Sequence, residues 1–236
     1  MFRLKTVALA IGMLALTGAT SSTASAAPCT TGKGLYKLCI NGAAVEEPST
    51  VPAESRATSA MSVDLSRDYE GVFISCETIA GTSSFSTGSG SAVSMTMLDT
   101  PKGCKLTGSA KSIIVKRCRI PAEKSFGTLR GTLSSLETVN VRPEVGSAFW
   151  EFPFQNNGPE TCPATVYGGK SLQGEYQCAL HQANVEAVEH ELICSTAPGH
   201  QVYLGGTEEP TPLSYTQTIV LTGSKKGAKF SIYQAR

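Results

Sequence analysis

The segment LSYTQTIVL, Leu213–Leu221, decides the fold class because apolar and polar side chains alternate along most of it. Alternation with a period of two places successive side chains on opposite faces of a β-strand, whereas a helix needs a period near 3.6. The same alternation recurs in three other groups: Val93, Met95 and Met97; Ala148, Trp150, Phe152 and Phe154; and Phe230 and Ile232. The sequence therefore predicts many short strands.

Glycine-rich turns separate these strands, for example at residues 88–90 and 223–227. Many short strands with frequent turns are typical of all-β folds, so we predict an antiparallel sandwich or barrel-like fold. A strand is also predicted at residues 113–115, directly before Cys118. Between His181 and Leu192 we favour a strand that carries Val188 and His190 on one face, over a helix that would carry His181, Val185, Val188 and Leu192.

The domain organisation predicted from the sequence is one all-β domain over residues 61–236. Residues 27–60 precede it, as a short Cys29/Cys39 segment followed by a polar stretch that contains Pro48 and Pro52 and reads as a linker. A division near residues 140–146 would give two β subdomains, and this remains an alternative.

Residues 1–26 have the pattern of a signal peptide. Arg3 and Lys5 precede an apolar run over residues 7–16, and Ala24-Ser25-Ala26 fits a signal peptidase site. The apolar run is too short to cross a hydrocarbon core of about 30 Å as a helix, so we predict no transmembrane anchor. The mature chain is predicted to be secreted and extracellular.

The even number of cysteines in a secreted chain predicts a disulfide framework rather than a zinc site, because no C-x-x-C pair is present. Local pairing suggests Cys29–Cys39, Cys104–Cys118 and Cys178–Cys194, with Cys76 and Cys162 left to each other. The eight cysteines assigned to disulfides are Cys29, Cys39, Cys76, Cys104, Cys118, Cys162, Cys178 and Cys194. We predict no metal site.

Composition excludes several classes of partner. The chain is 41% hydrophobic and 17% charged, which is too apolar for a disordered protein. Without residues 1–26, 18 basic side chains face 19 acidic ones. This balance gives no basic surface for duplex nucleic acid or an anionic membrane, so we predict neither as a partner.

The sequence contains no motif of a known catalytic centre. A G-x-S-x-G elbow is absent, and the histidines are His181, His190 and His200. His190-Glu191 would begin an H-E-x-x-H zinc motif, but Cys194 stands where the second histidine belongs. We therefore predict no cofactor and favour a non-catalytic role.

One strand could carry a binding surface. Trp150, Phe152 and Phe154 share a face, which is either a wall of the core or a platform for a sugar ring or a partner's apolar patch. Alternation with Glu151 favours the core. Together with His190, these three aromatic residues are the binding candidates that the sequence offers.

The order of several short motifs resembles a large set of uncharacterised, exported, β-rich proteins of high-GC Gram-positive bacteria. The resemblance covers residues 69–233 and departs from that set between Cys162 and Cys194, where extra cysteines occur. It implies the fold class and export, and it implies no catalytic or binding residue. The motifs are Cys76-Glu77, Lys102-Gly103-Cys104, Cys118, GTLRGTL at residues 127–133, VRPEVGSAF at residues 141–149 and Leu221-Thr222-Gly223.

These features favour a secreted β protein with a binding or structural role at the cell envelope, whose partner is an envelope glycan or another extracellular protein. An exported hydrolase is the first alternative. The second is a secreted protease inhibitor that presents residues 105–117 as a rigid loop between Cys104 and Cys118.

Overall fold

A computed structural model describes residues 29, 36–66, 69–88, 92–121, 123–125, 128–144, 148–164, 168–181, 184–205 and 210–233. These residues contain nineteen β-strands, one α-helix and a 3₁₀ turn at Gly223–Lys225. Helix α1 covers Ile113–Arg117. The strands are β1 (Lys37–Ile40), β2 (Ala43–Ala44), β3 (Ser49–Ala57), β4 (Met61–Asp64), β5 (Val72–Cys76), β6 (Thr78–Gly88), β7 (Ala92–Lys102), β8 (Lys105–Gly108), β9 (Cys118–Arg119), β10 (Lys124–Ser125), β11 (Leu129–Leu133), β12 (Thr138–Pro143), β13 (Trp150–Asn156), β14 (Gly168–Gly174), β15 (Tyr176–Leu180), β16 (Glu189–Ser195), β17 (Val202–Leu204), β18 (Leu213–Leu221) and β19 (Phe230–Tyr233).

Eight strands close into an antiparallel barrel in the order β3, β6, β7, β11, β12, β15, β16 and β18, and β18 pairs again with β3. The interior of an eight-stranded barrel is just wide enough to be filled by side chains. Residues that fill it include Ala53, Phe85, Met95, Met97, Val141, Leu192 and Ile219, all buried. The prediction of an all-β, antiparallel, barrel-like fold is confirmed. The alternative of two β subdomains placed a division near residues 140–146. Strands that precede and strands that follow this range in the chain build the same barrel, and β12 overlaps the range.

Smaller sheets surround the barrel. Strand β18 also pairs with β4, which leads through β5 to β8. A second sheet has the order β10-β13-β14-β17, with β9 paired to β13. A third has the order β19-β1-β2. These additions place strands over the two ends of the barrel.

Aromatic rings pack at both ends. At one end, which we call the Trp150 end, the Trp150 ring lies 6.0 Å from the ring of Tyr215. At the other, the Phe230 end, the Phe230 ring from β19 lies 5.5 Å from the ring of Phe85. All four rings are at most 3% exposed, so the barrel interior is closed to ligands at these rings.

The linker interpretation is wrong for Ser49–Ala57, which forms the barrel strand β3. Prolines and glutamates in this stretch suggested a loop, but its inward positions are the small residues Val51, Ala53 and Ser55, and Pro52 points outward. Small buried side chains alternating with exposed polar ones satisfy the period of a half-buried strand.

The strand predicted at residues 113–115 is also wrong, because these residues begin helix α1. The single turn buries Ile114 and leaves Ile113 54% exposed. The expected alternation would have placed Ile113 and Val115 together on one face. Strand β16, by contrast, confirms the strand interpretation for His190, Leu192 and Cys194, which share its buried face, whereas Val188 lies before the strand and is 39% exposed.

All eight cysteines form disulfides, which confirms the predicted framework. The pairs Cys29–Cys39 and Cys178–Cys194 are confirmed. The predicted Cys104–Cys118 pair is wrong, and so is the predicted pairing of Cys76 with Cys162. The observed bonds there are Cys76–Cys104 and Cys118–Cys162.

Strand pairing explains the two corrected disulfides. In the β5–β8 pair Ser75 faces Lys105, so the next residue of β5, Cys76, lies opposite Cys104. Helix α1 then carries the chain away to β9, where Cys118 pairs with Asn156. The Asn156 side chain accepts a hydrogen bond from the backbone N–H of Cys162 at 3.0 Å, which brings that cysteine to Cys118.

Residues 1–26, the predicted signal peptide, lie outside the described residues. No helix in the described ranges is long and apolar enough to span a bilayer.

Candidate functional site

The aromatic binding candidates are buried. Trp150, Phe152 and Phe154 are each 0% exposed, and the indole N–H of Trp150 donates to the backbone oxygen of Asp99 at 2.9 Å. A platform for a sugar ring needs an exposed ring face, and none of these three rings has one. They belong to the core that covers the Trp150 end of the barrel.

His190 is also buried, at 3% exposure. Its Nε2 lies 2.6 Å from the backbone oxygen of Phe230, its Nδ1 lies 3.2 Å from the backbone oxygen of His181, and its ring packs edge-on against the Phe230 ring at 4.5 Å. These contacts tie β16 to β19, which is a structural role rather than that of an exposed ligand-binding group.

Replacement of His190 by phenylalanine is expected to lower the free energy of unfolding by about 1–2 kcal/mol, because it keeps the ring contact and removes the buried hydrogen bonds. Urea denaturation measures this loss. The matched control is His181→Ala, whose side chain is 51% exposed, and we expect a change within about 0.5 kcal/mol. Equal stability of His190→Phe and the parent protein would contradict the structural role.

A polar cleft on the outside of the barrel is the candidate site. Its volume is about 590 Å³, and it lies between the end of β12, the β14–β15 turn and the residues before β17. A Cβ added to Gly174 would lie 2.0 Å from the backbone oxygen of Gln201, so only glycine allows the two chain segments to approach this closely. The lining residues are Arg142, Pro143, Gln173, Gly174, Glu175, Gly199 and Gln201.

A hydrogen-bonded network supports the cleft from below. The side-chain amide nitrogen of Gln177 donates to Asn140 Oδ1 at 2.9 Å and lies 2.7 Å from His200 Nε2. Because an amide nitrogen only donates, His200 Nε2 is the acceptor, and its proton belongs on Nδ1. That nitrogen faces Glu175 Oε1 at 3.6 Å. The network fixes the His200 ring, whose Nδ1 has no hydrogen-bond partner among the described residues, and Glu175 lies beside it at the edge of the cleft.

The cleft presents the Arg142 guanidinium and the side-chain amides of Gln173 and Gln201, with the Glu175 carboxylate at its edge. Arg142 is exposed and has no acidic partner among the described residues, whereas its cross-strand neighbour Arg130 pairs with Glu144 at 2.8 Å. The Tyr203 hydroxyl donates to Gln201 Oε1, which leaves the amide N–H groups of Gln201 available to a ligand. A free guanidinium beside amide donors suits a ligand rich in carboxylate or hydroxyl oxygens.

The arrangement around His200 differs from a catalytic triad. In a triad, the imidazole nitrogen opposite the acid accepts a proton from a nucleophile, but here that nitrogen is engaged by Gln177. Within the described part of the chain, no histidine ring bonds a serine or threonine hydroxyl. Glu175 and His200 are therefore suited to orient the cleft rather than to activate a nucleophile.

The loop proposed for protease inhibition lacks its predicted support. Residues 105–117 contain β8 and α1, no disulfide joins Cys104 to Cys118, and β8 pairs with β5 over Lys105–Gly108. This segment is part of a sheet rather than a loop projecting between two bonded cysteines.

A second polar group, the interior polar cluster, lies inside the barrel and consists of Ser55, Ser83, Asp99 and Gln217. Asp99 is 0% exposed, and the Ser55 hydroxyl donates to its Oδ1. Burial raises the pKa of Asp99 from 3.8 to about 6, although hydrogen bonds from Ser55 and Gln217 partly offset this effect. No cluster of three or more metal-ligating residues occurs in the described ranges.

Sequence reasoning missed both the polar cleft and the interior polar cluster, because the residues of each come from separate segments of the chain. Arg142, Glu175 and His200 come from three separate segments, and no local motif announces them. The one usable signal was polar residues at the outward positions of β12 and β15, such as Asn140 and Gln177, but outward polar residues occur on every half-buried strand.

The fold and the cleft together define a closed, disulfide-bonded β-barrel protein with a polar cleft on its outer surface. No protein-family model, curated protein or solved structure matches the chain.

Proposed function

We propose that this protein is a secreted, disulfide-stabilised binding protein that holds an acidic glycan of the cell envelope in the polar cleft. The single observation that carries the proposal is Arg142, which has no acidic partner among the described residues and lines a cleft of about 590 Å³ together with Gln173 and Gln201. Guanidinium groups pair well with carboxylates, and amides hydrogen-bond hydroxyl groups, so a uronic-acid-bearing sugar fits this set of donors.

The filled barrel supports binding at the outer surface. Buried side chains occupy the interior, and aromatic rings pack over both ends, so a ligand finds its polar partners outside. A rigid site of this kind loses little conformational entropy when it binds.

Export is part of the proposal. Its support is the signal-peptide pattern of residues 1–26 together with four disulfides, since disulfides persist in oxidising compartments. The resemblance to exported proteins of high-GC Gram-positive bacteria suggests the envelope of such a bacterium as the place of action.

Replacement of Arg142 by alanine is expected to weaken binding of an acidic polysaccharide by about tenfold or more, because a hydrogen-bonded ion pair is lost. The parent protein is first screened against acidic and neutral envelope polysaccharides, and the affinity for the best ligand is then measured by isothermal titration calorimetry. Arg130→Ala is the matched control, since it removes the same charge from the adjacent strand at a residue already paired with Glu144.

Two results would contradict the proposal. One is no binding of any acidic polysaccharide by the parent protein. The other is an equal loss of affinity in Arg130→Ala and Arg142→Ala, which would indicate attraction by overall charge rather than recognition in the cleft.

A further inference from the structure

Three oxygen atoms of the interior polar cluster have no hydrogen-bond partner among the residues that the structure describes. They are Asp99 Oδ2, Gln217 Oε1 and Ser83 Oγ. Their residues are 0%, 0% and 6% exposed, respectively, so bulk solvent does not compensate them. Buried polar groups in native proteins are almost always hydrogen-bonded, to protein or to ordered water, because an unpaired one is costly. Three such atoms inside one barrel therefore point to a shared partner.

Strand register places the three side chains around one region of the interior. Ser83 on β6 faces Met97 on β7, and Asp99 is the next inward residue after Met97. The amide nitrogen of Gln217 on β18 reaches the Met97 sulfur at 3.6 Å, and the same amide group is near enough to Asp99 to lower its pKa. Ser83 and Asp99 are thus diagonal neighbours on adjacent strands, and Gln217 reaches Met97, the residue that faces Ser83, from a strand that pairs with neither.

Gly81 keeps this region free of another side chain. It faces Asp99 in the β6–β7 register, and a Cβ added there would lie 2.5 Å from Asp99 Oδ1 and 2.1 Å from the backbone oxygen of Leu98. Glycine at this position lets the backbone of β6 lie against the carboxyl group of Asp99. The Asp99 carboxyl group therefore lies against the backbone of β6 and beside polar side chains from β3 and β18.

We propose that the interior polar cluster binds one water molecule, which donates to Asp99 Oδ2 and Gln217 Oε1 and accepts from the Ser83 hydroxyl. Water has two donors and can accept from a hydroxyl, so its capacity matches two acceptors and one O–H group. Buried waters typically make about three hydrogen bonds, the number available here. A bound cation is a poorer match, because Mg²⁺ and Ca²⁺ take six or more oxygen ligands.

This water would join β18 to β6 and β7, strands with which β18 does not pair. Strand β3 lies between β6 and β18 in the barrel, so the Ser83–water–Gln217 bridge crosses the interior rather than following the sheet. The site is independent of the polar cleft, which lies on the outer surface.

A crystal structure of the full mature protein at a resolution of about 1.5 Å tests the proposal directly. We expect one density peak within hydrogen-bond distance of Asp99 Oδ2, Gln217 Oε1 and Ser83 Oγ, with no anomalous signal after a rubidium soak. Rubidium scattering at the peak would show a cation and overturn the proposal. Side chains that bond directly to one another, with no peak between them, would overturn it as well.

Water relaxation dispersion in solution gives a second test, since it counts long-lived internal waters. Ser83→Ala removes the proposed donor, and we expect it to lose one long-lived water relative to the parent protein. Ser84→Ala is the matched control, because Ser84 is adjacent on β6 and faces outward, and it should retain the parent's count. The same count in all three proteins would contradict the proposal.

Discussion

Replacement of Trp150 by alanine is expected to lower the free energy of unfolding by about 4 kcal/mol, which is typical for truncation of a fully buried large aromatic residue. The Trp150 ring is 0% exposed and packs against Phe149 and Tyr215, with ring centres 6.1 Å and 6.0 Å away. Alanine would leave a cavity at the Trp150 end and remove the N–H that donates to the Asp99 backbone oxygen.

Two further variants separate these contributions. Trp150→Phe retains a ring but loses the N–H, so we expect a smaller loss of about 1–2 kcal/mol. Glu151→Ala changes the neighbouring outward residue and should shift stability by no more than about 0.5 kcal/mol. Urea denaturation of the parent and the three variants measures these differences. A Trp150→Ala protein within about 1 kcal/mol of the parent would show that Trp150 is not a core residue.

The second large effect concerns Asp99. Its pKa is raised from 3.8 to about 6, so the folded protein holds the proton more tightly than the unfolded chain does. This difference stabilises the folded state fully below about pH 4, and the stabilisation is lost as the pH rises through about 6. Two pKa units correspond to about 3 kcal/mol.

Asp99→Asn should therefore lack this pH dependence. Its amide can still accept from Ser55, and its NH₂ group can donate where Asp99 Oδ2 has no protein partner. We expect the variant to be more stable than the parent by up to about 3 kcal/mol near pH 7.5 and to differ little near pH 4, as measured by urea denaturation across this range.

Asp64→Asn is the control for this comparison. Asp64 accepts a hydrogen bond from the Ser66 backbone N–H at 2.8 Å, and an asparagine oxygen can accept the same bond. The control measures, at each pH, what the replacement of a carboxylate by an amide does at a half-buried position. A constant difference between the parent and Asp99→Asn would instead show that the Asp99 carboxyl group titrates alike in the folded and unfolded states.

The sequence predicted strands well where inward residues are large and apolar. Strands β7, β13 and β18 follow from the alternation of Val93 and Met95, of Trp150 and Phe152, and of Leu213 and Tyr215. Strand β3 was missed because its inward residues are small and its outward residues include Pro52. A barrel needs small inward side chains where its wall comes close to other side chains, and such residues carry little hydrophobic signal.

The other wrong predictions concern residues that are distant in the sequence and become neighbours only in the fold. Three apolar residues at 113–115 fit a strand by propensity, but in the fold only Ile114 has a buried place to occupy. The disulfide pairing depended on the β5–β8 and β9–β13 registers, which cannot be derived from the spacing of the cysteines along the sequence. The polar cleft likewise depends on the β12–β15 register, in which Val141 faces Tyr176, so that Arg142 and Glu175 come to one surface.

Four disulfides lock the chain into a closed barrel, and we propose that the chain is exported. Mass spectrometry of unreduced protein from the culture medium tests both statements most directly, through the intact mass and a peptide map. We predict an N-terminus at Ala27, no free thiol, and the pairs Cys29–Cys39, Cys76–Cys104, Cys118–Cys162 and Cys178–Cys194. Retention of residues 1–26, free thiols or a Cys104–Cys118 bond would contradict the account.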